Sequence, residues 1–167
     1  MGYADGHVIR LIGGRLALDF VNTADWSADG KVVHEKVETL EDLRTWAIAV
    51  GLNKLEVAAT RSEAVRLRAR LRSELLQVME VVAAGKFTAV VRPPRARAAL
   101  LAAIEASACG LFVDRHEAER LKCCPGDDCG WLFIDETGNG RRRWCSMESC
   151  GNRTKARRHY RRAVARA

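Results

Sequence analysis

The stretch CCPGDDCGWLFIDETGNGRRRWCSMESCGNRTKARRHYRR, residues 123–162, decides how the chain is read. Cys124 and Cys129 are separated by four residues, as are Cys145 and Cys150, and fifteen residues lie between the pairs. Two short chelating loops at this spacing can place four thiolates at the corners of a tetrahedron, the closed geometry that structural zinc accepts. The residues between them predict a strand over 131–134, a turn at Gly138 to Gly140 and a return strand over 141–145. A segment this small has too little core to fold alone, so a metal staple is expected. Cys123 adjoins Cys124 and can substitute for it. Cys109, on an apolar helix, reads as a small buried hydrophobe.

A helix is predicted from about Cys150 onward. Ala156, Tyr160, Ala163 and Val164 share one stripe of it, expected to pack on the hairpin, and the opposite face carries Lys155, Arg157, Arg158, Arg161 and Arg162. The chain has 28 Lys and Arg against 21 Asp and Glu. Residues 1–122 hold 18 of the basic and 16 of the acidic residues, so the ten basic residues after Gly140 carry the excess. A cationic surface so poor in acidic neighbours suits phosphates, whose neutralisation releases counterions. Arg141, Arg142 and Arg143 enlarge it. Phosphate contacts from these arginines would hold DNA, whereas Arg153 and Lys155, near the helix start, are candidates for base contacts.

Outward from this segment, residues 1–120 read as a mainly helical domain and 121–167 as a zinc-finger domain. Thr39 caps a predicted helix ending at Gly51. Residues 53–84 predict one long helix or two joined ones, and the chain after Pro93 and Pro94 predicts a further helix to about Phe112. Asp114 caps another turn or two. Residues 7–23 read as a hairpin or as a turn leading into a helix, and 24–36 as polar loop. The fold class is therefore mainly α with small β. No stretch has the ~18 apolar residues of a membrane span, and the N-terminus lacks a secretory pattern. A cytoplasmic location is expected, where clustered thiols more often bind metal than pair. No phosphate loop, zinc-protease motif or nucleophilic triad is present, so nothing points to an enzyme.

The residues CGWLFID, RRRWCSM and Cys150-Gly151-Asn152-Arg153 resemble the CGNR zinc-finger family of bacterial proteins. The stretch LALDFVNT, Leu16 to Thr23, resembles a motif of the helical ABATE domain that precedes the finger in that family. The resemblance implies a stress-responsive transcription regulator, a treble-clef-like finger with one structural zinc, and DNA as the partner. It also brings forward Asp19, Asn22 and Thr23, which either contact a small-molecule effector or perform turn and cap chemistry. The short segment KFTAVVRPPRARAALL departs from the family, which usually has more chain there. A homodimer would suit symmetric operators, although no heptad seam specifies one. The alternative is a zinc-stabilised RNA-binding or protein-interaction adaptor without operator specificity.

Overall fold

A computed structural model describes residues 2–3, 6–55, 58–96 and 98–165. Its helices are α1 (Leu16–Val21), α2 (Leu40–Ala49), α3 (Arg61–Ala83), α4 (Ala99–Val113), α5 (Arg115–Arg120) and α6 (Asn152–Val164). Its strands form two antiparallel hairpins, β1 (Ala24–Trp26) with β2 (Val32–Glu35), and β3 (Leu121–Cys123) with β4 (Leu132–Ile134).

The helix starts follow local chemistry. Thr39 and Asp42 form a reciprocal capping box on α2, and Thr60 and Glu63 form one on α3. Asp114 caps α5 by accepting from the His116 and Glu117 amides. The 53–84 reading thus shortens at its front, because the Thr60 cap starts the helix at Arg61; residues 56 and 57 lie outside the described residues. Helix α3 buries Ala64, Leu67, Leu71 and Leu75, spaced three and four apart. Helix α4 is apolar around most of its circumference and sits against both α1 and α3.

Three expectations need correction. Residues 24–36 are not a loop but mostly hairpin, held to α3 by Arg68. That guanidinium is 1% exposed, donates to the Thr23 carbonyl at 3.3 Å and hydroxyl at 3.1 Å, and pairs with Glu35. A buried arginine with these partners makes a short polar strand tenable. The return strand over 141–145 is absent: β4 pairs instead with β3, in the register Leu121↔Ile134 and Cys123↔Leu132. The Arg141 to Arg143 segment instead closes as a loop around buried Asp135, whose carboxylate receives Lys122 Nζ at 2.6 Å and the Arg142 amide at 2.9 Å. Finally, α6 buries no residue, and Tyr160 and Val164 are 70% and 58% exposed.

Leu121, Leu132 and Ile134 lie in the same core as Leu18, Phe20, Trp46 and Ile104. A second, smaller cluster gathers Ala24, Trp26, Trp131 and Phe133 around the four paired cysteines. Residues from both ends of the chain therefore contribute to each core.

Candidate metal centre

Cys124 follows β3 directly, and the Pro125–Gly130 turn returns the chain to β4. The Cys124 amide donates to the Trp131 carbonyl at 2.8 Å and the Cys129 amide to Gly126 at 3.2 Å, closing a tight knuckle. Gly126 faces Cys150: a Cβ there would sit 3.0 Å from its Sγ. Gly130 has φ +54, and a Cβ there would meet the Trp26 carbonyl at 2.9 Å. Both glycines are fixed by close approach. Cys145 and Cys150 flank a second loop, and Cys150 lies in a short π-turn (Met147–Gly151) immediately before α6.

The four thiols are buried, and their Sγ atoms all lie within 4.8 Å of one another. Cys129 and Cys145, and Cys145 and Cys150, are 3.6 Å apart. A tetrahedron with Zn–S bonds of ~2.3 Å has edges of roughly 3.8 Å, so the cluster matches the cage of one structural zinc. Its electrostatics agree. Hydrogen bonds from the Cys129 and Cys145 thiols hold Cys124 far below the usual thiol range, while the same sharing pushes Cys129 far above it. Four touching thiols cannot all ionise unless a cation takes up the charge. Cys123 lies outside the cluster, its Sγ turned to the Gly130 carbonyl at 3.6 Å. Cys109 donates its S–H to the Arg92 carbonyl and ties α4 to the preceding loop.

The basic residues divide. Arg153, Lys155, Arg157, Arg158, Arg161 and Arg162 are exposed on α6, and Arg141 and Arg143 are exposed in the loop. Arg157 pairs with Asp127 of the knuckle. Arg142 is different. Its guanidinium donates to the carbonyls of Ile134 at 3.1 Å, Ile12 at 3.0 Å, Cys145 at 2.7 Å and Trp144 at 3.3 Å, and stacks 4.3 Å above Phe133. Those donors are spent inside the fold, which corrects its place in the phosphate-binding set.

Asn22 and Thr23 are 3% and 1% exposed. Asn22 donates its amide to the Leu132 carbonyl at 2.8 Å and accepts from the Leu132 amide at 2.9 Å. Thr23 donates to Phe20 O at 2.7 Å. Asp19 accepts from the Gly13 amide at 2.8 Å, and burial raises its carboxyl to about 6. The three are thus engaged in turn, clasp and cap chemistry rather than grouped around a cavity. The cavity beside the metal centre, about 380 Å³, is instead lined by Arg10, Asp25, Lys36, Trp131, Cys150 and Arg153. Asp25 accepts from Trp131 Nε1 at 2.8 Å and pairs with Lys36. Sequence reasoning missed Asp25 and Lys36, because their partner Trp131 lies more than 90 positions away.

Two family models match the chain. Residues 14–125 match ABATE, described as a "putative stress-induced transcription regulator". Residues 120–163 match the CGNR zinc finger. Neither is an enzyme family. No curated protein matches the chain in sequence. Among the described residues no helix is long and apolar enough to cross a membrane.

Proposed function

This chain belongs to the ABATE family, and on that premise we propose that it is a zinc-dependent regulator that acts by binding DNA through α6. The observation that carries the reading is the state of that helix. It holds six Arg and Lys residues and no acidic one, and none of its residues is buried. Like charges at i and i+4, as in Arg153–Arg157, Arg157–Arg161 and Arg158–Arg162, repel along its length. A helix that gains nothing from packing and repels itself is suited to a polyanion, which supplies the missing counter-charge. The zinc centre fixes only its foot, through Cys150 in the π-turn.

The cationic side is not uniform. At 100° per residue Arg153 and Arg157 are neighbours on the helix surface, and both border the knuckle aspartates Asp127 and Asp128. Arg158, Arg161 and Arg162 lie further round, and among the described residues they make no ion pair. They are the phosphate-contacting set, and Lys155 on the same side is the candidate for reading a base. A cytoplasmic location and a bacterial stress regulator follow from the same reading.

The test is a salt titration of purified, zinc-loaded protein on a DNA site selected from genomic fragments and on a scrambled duplex. Arg161→Ala is expected to weaken both alike and to lower the salt slope by roughly one unit. Arg157→Ala should cost less, since its guanidinium already has Asp127. Lys155→Ala should change preference between the two duplexes. Salt-dependent binding with no preference for any duplex would favour an adaptor without operator specificity, and no salt dependence would overturn the reading.

A further inference from the structure

Beyond α6, the chain has a second cationic feature, where the end of the long helix α3 meets the finger. A groove of about 310 Å³ runs between Met79 of α3 and Pro125, with Lys122, Arg141, Arg142 and Arg143 along it. Among the described residues no acidic side chain lines it. Two of the four cations are fixed: Lys122 by Asp135 and the Gly140 and Arg142 carbonyls, and Arg142 by its four carbonyl partners. The other two are available. Arg141 and Arg143 are exposed and make no ion pair among the described residues, and Arg143 stacks 5.0 Å from the Trp144 ring, which restricts its rotamers. Lys122 is balanced by Asp135 and Arg142 is spent on its carbonyl partners, so the positive site rests on the exposed guanidinium groups of Arg141 and Arg143, held on a loop that Lys122 and Arg142 fasten. The cavity beside the metal centre shares no residue with this groove and contains Asp25, Asp128 and the cysteine sulfurs. That cavity mixes these anions with Arg10, Lys36 and Arg153, whereas the α3-side groove has no carboxylate among its lining residues.

We propose that this groove seats a phosphate segment of the same DNA that α6 engages, so that the helical domain forms one wall of the nucleic-acid interface. The inference rests on the DNA reading above and reaches past it. The near balance of charge over residues 1–122 predicts no contact from that domain, whereas the contact follows from where α3 ends.

The decisive residue is Met79, which carries no charge and lies in the helical domain. Met79→Lys adds a cation to the groove wall, and Met79→Glu adds an anion. The measurement is duplex affinity across a salt series, with zinc content and far-ultraviolet circular dichroism as controls for folding. Met79→Lys is expected to tighten binding about 3- to 10-fold and steepen the salt slope by about one, and Met79→Glu to do the reverse. Arg141→Ala and Arg143→Ala should each lower the slope by about one. If the parent protein binds DNA in a salt-dependent way and neither Met79 variant changes it, the groove is not an interface, and the α6 reading stands without it. If the parent shows no salt-dependent binding, that reading falls and the groove with it. Should Met79→Glu fail to fold, Met79→Lys compared with the neutral Met79→Gln repeats the test on the same wall.

Discussion

Arg142 shows how much one side chain can decide. Within three consecutive arginines it alone turns inward, and its planar fork reaches four carbonyls from three separate segments. Lysine has the charge but not the fork. Arg142→Lys should therefore destabilise the fold nearly as much as Arg142→Ala, by about 2–3 kcal/mol, read as a lowered denaturant midpoint. Arg141→Ala, next to it, should leave that midpoint unchanged. Asp19 gives a pH-dependent prediction. Its carboxyl is raised from 3.8 to about 6 chiefly by burial. The folded state thus holds a proton that the unfolded state has released. Its contribution to stability is greatest below about pH 4, falls as pH rises towards 6, and is flat above, a loss of up to about 3 kcal/mol. Asp19→Asn keeps an acceptor for the Gly13 amide and removes the titration. The variant should be more stable than the parent at pH 7, with the difference fading by pH 4. A difference independent of pH would show that Asp19 is not the titrating group.

At the scale of elements, α6 and the knuckle make opposite predictions. Because α6 buries nothing, removing the chain after Thr154 should leave the melting temperature unchanged while strongly weakening DNA binding. A large drop in melting temperature would show that the helix packs after all. The knuckle tolerates little: Gly130→Ala puts a methyl against the Trp26 backbone at a positive φ and should cost at least about 2 kcal/mol. The contrast also explains what could be read from sequence. The cysteine spacing, the Thr39 cap and the Asp114 cap were legible because each depends on residues close in the chain. The β1–β2 hairpin was not, because its polar residues are made tenable by Arg68 on a distant helix. The β3–β4 pairing was hidden by a plausible turn at Gly138 to Gly140 that leads into a loop instead of a strand. The stripe on α6 kept its periodicity yet found no surface to pack on. Periodicity fixes which residues share a face, but says nothing about whether a partner is there.

At the scale of the molecule, metal and core are joined. Trp26 and Gly130 meet across the seam, Arg72 of α3 donates to the Gly130 carbonyl at 2.6 Å, and Leu132 and Ile134 of β4 lie in the main core. Chelating zinc should therefore lower the unfolding temperature of the whole protein rather than release only a C-terminal tail. Near-ultraviolet circular dichroism should then change for Trp46, which lies in the main core, as well as for Trp131 beside the cysteines. Elemental analysis should find about one zinc per chain, lost in Cys150→Ser. A chain ending at Arg120 should be less stable than the parent, because it leaves the α1 side of the core uncovered.

The bond pair between Asn22 and Leu132 spans 110 positions. A ribosome synthesising the chain delivers Asn22 on the order of ten seconds before its partner. Until β4 emerges, Leu18 and Phe20 of the nascent chain lack part of their covering, and Cys145 and Cys150 are not yet available to meet Cys124 and Cys129. Closure of both clusters therefore waits for the last segment to be made, and the yield of folded protein is expected to fall when zinc is scarce.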